Sequence, residues 1–478
     1  MYSFLAWRRL NIGNSPWKCL SRNLAENRLT QMGENLNRRN FIAQAAGITL
    51  GVGVGLSESR KILGANDRVV AGVIGYGEMG TENMGSFMKH PGVEIGAVCD
   101  VYQPRLDKGI QDAGGRAKIY KDFRQVLDDK DIDVVIIAVP DHWHALQMVM
   151  ACQAGKDVYV EKPISTTLEE GRSMVEAARK YDRVTQVGTW QRSGIHFQKA
   201  VQLVQDGIIG QVRFARTWNY RNFMPDGFGD PPDSDTLPGL DWDMWLGPAP
   251  KRPFNRNRCG IGNRWSTFRY FWDYAGGWMT DWGIHLLDIV LWAMKSDGPR
   301  VITAMGGKYA IQDNRETPDT LQVTYEFPDF VCTYEMREIN ANSMCGKGYG
   351  IEFHGTDGTL FLDRDGFQVY PEKWESAAKP VEAAKPANRT ASIKMELAND
   401  ALYDHITNFL QCSKSRKRAV CDIEVGYHSS STCFLANIAY RSRDRLTWDA
   451  ANQHLAQGNA EARRLLGREY RAPWKLTV

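Results

Sequence analysis

The sequence has no apolar run long enough to span a membrane as a helix, and its composition is that of a soluble globular protein. Its nine cysteines form no C-x-x-C pair and no zinc-like spacing. An odd, scattered set reads as buried thiols and argues against a disulfide framework. No internal repeat is apparent. No basic patch points to nucleic acid. The net charge of +3 conceals an asymmetry, because residues 1–65 hold nine Lys/Arg against three Asp/Glu, leaving 50 against 53 over residues 66–478. The body of the chain is therefore slightly acidic. At 478 residues it is too long for one ordinary core, and two domains are expected.

What is present begins with an address label over residues 1–65. Asn37-Arg38-Arg39-Asn40-Phe41-Ile42 precedes an uncharged stretch, Ala43 to Ser57, that contains Gly47, Gly51, Gly53 and Gly55. Paired arginines before a mildly hydrophobic, glycine-rich segment resemble a twin-arginine export signal, with the Tat export machinery as partner and the periplasm as destination. No clean A-x-A cleavage site follows, and Met32, just ahead of the arginines, is the expected translation start. The competing reading is a short helix with incidental arginines in a cytoplasmic protein.

From residue 66 to 190 apolar runs alternate with helical stretches. The runs Val69–Ile74, Val93–Cys99, Val134–Val139, Val158–Val160 and Val184–Val187 read as strands, and Thr167–Tyr181 reads as a capped helix. This alternation predicts an α/β fold with a doubly wound parallel sheet. Its first turn is Gly75-Tyr76-Gly77-Glu78-Met79-Gly80, a G-x-G-x-x-G motif between a strand and a helix. Gly75 permits the tight turn, Gly77 the close approach of a pyrophosphate, and Gly80 the packing of helix on strand. The pyrophosphate would meet unpaired N–H groups at the helix start. Asp100, twenty residues beyond Gly80, is placed to accept from ribose hydroxyls and to repel a 2′-phosphate. The cofactor is therefore NAD rather than NADP, although Arg105 is close enough in sequence to temper that preference. Asp100, Pro140 to His144, Glu161 to Pro163 and Gly188 to Arg192 all fall at strand ends and should line one crevice.

Residues 191–478 read as an α+β domain on a large, mostly antiparallel open sheet. Residues 218–282 carry seven of the fifteen tryptophans and suggest structured loops over a pocket. Strands are expected at Val301–Tyr309, Thr320–Phe327, Val331–Arg337, Gly350–Gly355 and Thr359–Leu362. Residues 371–398 read as an exposed loop, and Ala401–Gln411 and Gly426–Tyr440 as helices.

With Asp141-His-Trp-His144, Glu161-Lys162-Pro163 and Gly276-Gly277-Trp-Met-Thr-Asp281-Trp-Gly-Ile-His285-Leu-Leu-Asp288 added to the glycine motif, the chain from Asn66 onward resembles the glucose–fructose oxidoreductase, inositol dehydrogenase and MocA (Gfo/Idh/MocA) family. The closing Tyr470-Arg-Ala-Pro-Trp-Lys475 resembles the end of an exported bacterial branch. The resemblance implies a Rossmann domain followed by an α/β domain, a nicotinamide cofactor, sugar-like or cyclic polyol substrates, and a homo-oligomer formed through the open sheet. It also implies an active-site role for Lys162, and His144 near the nicotinamide end with Pro140 shaping the turn.

The residues themselves suggest how such chemistry would run. The Lys162 ammonium could hydrogen-bond a reacting hydroxyl and stabilise its oxyanion as hydride leaves. Asp281, His285 and Asp288 are spaced i, i+4, i+7, which predicts a single helical face. His285 would take the hydroxyl proton and Asp281 would position its ring or a second hydroxyl, with Asp288 as a structural partner. Glu161 is either a cofactor contact or a buried structural carboxylate. His142 and His144, two apart, suit a loop, and no third ligand specifies a metal. Trp190, Arg192, Tyr274 and Trp278 are the expected substrate contacts, with Arg221, Arg264 and Arg269 as further hydroxyl partners.

The leading expectation is an NAD-dependent oxidoreductase acting on a secondary hydroxyl of a sugar, glycoside or cyclic polyol. Export would separate it from the soluble NAD pool, so a cofactor could be captured before export and retained. Retention makes a redox-neutral glycoside hydrolase, working through transient sugar oxidation, the alternative. A non-catalytic sugar or nucleotide sensor is the third reading.

Overall fold

The computed structural model describes residues 68–262, 266–344, 346–373 and 388–478. The expected export segment, the Met32 start, Arg264 and Trp265 lie outside the described residues. Seven of the cysteines are described, and all are buried free thiols.

Runs of Val and Ile build the first sheet: β1 (Val69–Ile74), β2 (Val93–Cys99), β3 (Lys118–Tyr120), β4 (Val134–Ile137), β5 (Asp157–Val160) and β6 (Thr185–Val187). All pair in parallel in the order β3-β2-β1-β4-β5-β6. The order reverses between β1 and β4, the topological switch point where ligands bind in doubly wound sheets. β4 and β5 are buried along their whole length, because helices cover both faces, and so they read as continuous apolar runs. The edge strand β3 escaped sequence reasoning because Lys118 and Ile119 are exposed and no apolar run marks it. The helix Leu168–Lys180 opens with a capping box in which Thr167 and Glu170 satisfy each other's backbone N–H groups.

The second sheet has ten strands in the order β14-β13-β12-β11-β7-β10-β9-β8-β15-β16. They are β7 (Val212–Tyr220), β8 (Val301–Gly307), β9 (Thr320–Glu326), β10 (Val331–Arg337), β11 (Tyr349–Gly355), β12 (Gly358–Asp363), β13 (Gly366–Pro371), β14 (Ile393–Glu396), β15 (Leu446–Asp449) and β16 (His454–Gln457). Only β7 with β10 runs parallel among the described pairings. Alternation in β9 and β10 sends Leu321, Val323, Tyr325, Cys332, Tyr334 and Met336 into the core beneath the helices Gly283–Met294 and Ile423–Ser442. Two expectations are corrected here. Residues 393–396, expected in a loop, form β14 against β13, an exposed edge strand without apolar alternation. Trp218, expected over a pocket, lies on β7 and is fully buried.

Two segments beyond residue 400 return to the first sheet. Helix Ala401–Ser415 sets Phe409 edge-on to Phe87 and Tyr159, at ring-centre distances of 6.1 and 5.9 Å. Trp474 of the closing segment meets Trp143 at 4.9 Å.

The glycine turn rests on backbone contact. Gly75 has φ +89°, and a Cβ on Gly80 would lie 2.0 Å from the Gly75 carbonyl oxygen. Gly85, on the outer face of the same helix, has nothing within 4 Å of that position. Gly80→Ala is therefore expected to lower unfolding free energy by about 3 kcal/mol through overpacking. Gly85→Ala should raise it by about 0.5–1 kcal/mol by helix propensity alone. Denaturant unfolding of the two variants checks the contrast; equal effects would contradict the packing.

Candidate active site

The carboxyl ends of β1, β2, β4 and β5 open onto two adjoining cavities that share Arg105, Ala138, Val139, Pro140 and Trp245. Gly75, Asp100, Phe123 and Trp143 line one; Gly77, Glu78, Met79, Asp141, His144, Glu161, Lys162 and Arg269 line the other. Gly77 tests whether a dinucleotide fits. No wall crowds it, and an added Cβ would meet only the Arg105 guanidinium, at 3.5 Å. Its smallness serves the open space and not the packing, as a cradle for a pyrophosphate requires.

Asp100 is buried, and its oxygens accept from the backbone N–H of Tyr76 at 2.7 Å and of Tyr102 at 2.9 Å. It thus pins the glycine turn while presenting its remaining lone pairs to the cavity. Burial raises its pKa, and Arg105, 4.0 Å away, opposes the rise. Tyr76 contributes only backbone here: its ring is buried and its hydroxyl donates to Asp112 at 2.6 Å. Gly80 likewise packs against the turn and not on the cavity. Glu161 accepts from Asn83 Nδ2 at 2.9 Å, which ties the end of β5 to the helix Glu78–Phe87. His142 and His144 lie in the helix Asp141–Gln153, a correction to the loop expectation. Their ring nitrogens meet carbonyls: His142 with Trp245, and His144 with Pro163 and Val139 at 2.7 and 2.8 Å. Burial holds the His144 pKa down at about 4.

At the far end, Lys162 Nζ donates to Asp281 Oδ1 at 2.7 Å and to the Asp281 carbonyl at 3.1 Å. Arg269 Nε donates to the same Oδ1 at 2.9 Å. Burial alone would raise the Asp281 pKa, but Arg269 and then Lys162 drive it far below the carboxylate range. Lys162 keeps one of its three N–H groups for another partner. Asp141 shares this cavity; burial lifts its pKa to about 7, Arg269 opposes the lift and Asp281 adds to it.

His285 is buried near these charges, and its Nδ1 has no hydrogen-bond partner among the described residues. Burial, then Lys162 and Arg364, hold the ring neutral against Asp281. Asp281 closes the short helix Gly277–Asp281, and His285 lies in the first turn of a new one, Gly283–Met294. The expected single face is thus broken at Trp282. Asp288 forms a buried two-point ion pair with Arg192, at 2.8 and 2.9 Å. That pair removes Arg192 from the expected substrate contacts. Tyr274 is also corrected: it is fully buried against Trp245 and His142. Trp278 is buried, stacked on Tyr270 and covered by Arg221 at 3.8 Å. Trp190 remains half-buried beside His285, with ring centres 6.4 Å apart. Sequence reasoning gave Asp141 no role, although it stood in a noted motif, and missed Arg364, which no local pattern marks.

Comparison with known proteins agrees with this architecture. The model of an oxidoreductase family with an NAD-binding Rossmann fold (Gfo/Idh/MocA) matches residues 69–189, and that of its C-terminal alpha/beta domain matches residues 194–330 and 391–476. An uncharacterized oxidoreductase, YrbE, of Bacillus subtilis strain 168 is 34% identical over 143 residues, 30% of this chain and 42% of that protein. Inositol 2-dehydrogenase of Salmonella typhimurium strain LT2 is 32% identical over 143 residues, 30% of this chain and 43% of that protein. A glycosyl hydrolase family 109 protein of Shewanella sp. strain MR-4 is 26% identical over 208 residues, 37% and 44% of the two chains. The matches thus span under half the length of these relatives. Levoglucosan dehydrogenase, solved with NADH and levoglucosan, superposes with a TM-score of 0.59 at 17% identity, over 80% of this chain and 99% of that one. The WlbA dehydrogenase from Bordetella pertussis, solved with NADH and UDP-GlcNAcA, gives the same four values. At this identity the likeness is one of fold.

Two outcomes follow from the charges. Asp281→Asn leaves Lys162 and Arg269 without their shared counter-charge and should lower unfolding free energy by about 3 kcal/mol, read by denaturant titration. As pH rises through about 7, Asp141 ionises and adds negative charge to a cavity where a nicotinamide ring, if held there, would carry charge as NAD+ but not as NADH. The ratio of NAD+ to NADH affinity should therefore rise about tenfold across that range, and Asp141→Asn should flatten it, measured by fluorescence titration.

Proposed function

Because the chain belongs to the Gfo/Idh/MocA oxidoreductase family, we propose that it is an NAD-dependent oxidoreductase acting on a secondary hydroxyl of a sugar, glycoside or cyclic polyol. The observation that carries this reading is the lysine with a spare donor, held by Asp281 on the cavity that begins at the glycine turn. Bound NAD+ would supply the hydride acceptor. Gly75, Gly77, Glu78, Met79, Asp100, Pro140, His144 and Glu161, which line the two cavities, would hold it, with Tyr76 and Gly80 shaping the turn from behind.

The chain's own residues divide the remaining work. Lys162 donates its free N–H to the reacting hydroxyl and stabilises the oxygen as negative charge develops on it. His285, kept neutral, accepts the hydroxyl proton, so that loss of hydride and proton together leaves a carbonyl. Asp281 orients Lys162 and stays ionised. Division of the chain near residue 190 and export by the Arg38-Arg39 segment complete the proposal, the latter supported by sequence pattern alone.

The same residues would serve a redox-neutral glycoside cleavage, so one assay addresses both. Purified protein is incubated with NAD+ and a panel of sugars, inositols and chromogenic glycosides, and NADH absorbance and aglycone release are followed together. Net NADH marks a dehydrogenase, aglycone without NADH marks the hydrolytic route, and binding without either marks a sensor. In whichever reaction runs, Lys162→Ala and His285→Ala should each lower turnover at least about a hundredfold while NADH still binds. Unchanged turnover in either variant would remove that residue from the mechanism.

A further inference from the structure

One charged side chain beside the site lacks a counter-charge. Arg364 stands at the tip of the β12–β13 hairpin, which closes in two residues and is held by Asp363, whose Oδ1 accepts from the N–H groups of Asp365 and Gly366 at 2.9 and 3.2 Å. The Arg364 guanidinium lies 4.5 Å from the Trp190 ring and 4.7 Å from the Trp282 ring. The same indoles are the neighbours of His285, at 6.4 and 6.0 Å between ring centres. Arg364 and His285 therefore share one aromatic enclosure. Gln191 bridges them, accepting from Arg364 Nε at 3.3 Å and donating to the His285 carbonyl at 3.2 Å.

No carboxylate among the described residues lies within 4.0 Å of Arg364. The carboxylates whose charge reaches it do not pair with it: Asp281 is held by Lys162 and Arg269, and Glu82, exposed on the helix Glu78–Phe87, stands farther than 4.0 Å away. A guanidinium partly withdrawn from water without a counter-charge is unfavourable. Contact with indole faces compensates part of that loss and leaves the in-plane N–H groups available, the geometry that grips an anion at two points.

We propose that Arg364 is a specificity-determining residue that receives an anionic group on the sugar substrate, a carboxylate or a phosphate, and so selects acidic sugars over neutral ones. This rests on the reading that the sugar enters beside Lys162 and His285. A single uncommitted positive charge matches the single negative charge of a uronate carboxylate better than a phosphate dianion.

The test titrates NADH-loaded protein with glucuronate, glucose 6-phosphate and glucose by calorimetry, for the wild type, Arg364→Gln and Arg364→Lys. The wild type should bind glucuronate at least about tenfold more tightly than glucose, the scale of a charge-assisted hydrogen bond. In R364Q that ratio should fall to near unity, and R364K should restore part of it, with NADH affinity retained in both. Preference for glucose 6-phosphate over glucuronate would support the anion site and identify its ligand as phosphate. Anionic sugars binding no better than glucose, or a preference that survives in R364Q, would overturn the proposal while leaving the dehydrogenase reading intact. Failure of NADH to bind the wild type would instead remove the reading beneath it.

Discussion

A single buried carboxylate, Asp281, holds the candidate site together. Two cations converge on it at the end of the helix Gly277–Asp281: Lys162 from the end of β5, 119 positions away, and Arg269 from a short turn of 3-10 helix, 12 positions away. A carboxylate taken out of water needs its charge balanced, and here two cations do so from one side of a cavity. Such a pair adds little net stability, because desolvation offsets most of the attraction. Its consequence is geometric. The lysine cannot relax toward solvent, and its remaining donor stays on the cavity that starts at the glycine turn.

Behind this cluster the wall is stiff. Asp313, Arg315 and Glu338 form a fully buried ionic network, and Tyr270 donates to Glu338 at 2.7 Å. Tyr270 stacks on Trp278, which Arg221 covers in turn. Burial lifts the Glu338 pKa to about 7, with Arg315 opposing. Much of the aromatic density between residues 218 and 282 is thus framework rather than substrate surface. Aromatic composition alone does not separate the two, because the same flat apolar rings suit a sugar and a core. Of Trp190, Arg192, Tyr274 and Trp278, Trp190 alone is half-buried rather than buried, and it lies beside His285.

The parts of the fold legible in the sequence are those whose cause is local. Gly75 at φ +89°, the capping box at Thr167, and the apolar runs of β1, β2, β4 and β5 leave their signature within a few residues. The short edge strands β3 and β14 leave none, since exposure on their outer side removes the apolar alternation that would mark them. The helical spacing of Asp281, His285 and Asp288 misled because periodicity says nothing about a break at Trp282. Arg192 misled differently: its charge was visible, but its partner lies 96 positions away.

The sequence by itself determined a parallel sheet with a nucleotide turn and a largely antiparallel second sheet, and it singled out Lys162 and His285 as the side chains proposed to react. Only the tertiary structure decided which charges neutralise one another. It gave Asp281 to Lys162 and Arg269 and Asp288 to Arg192, and it left Arg364 between two indoles. The reason is physical: backbone conformation depends on near neighbours along the chain, whereas the energy of a buried charge depends on whatever the fold brings within a few ångströms of it.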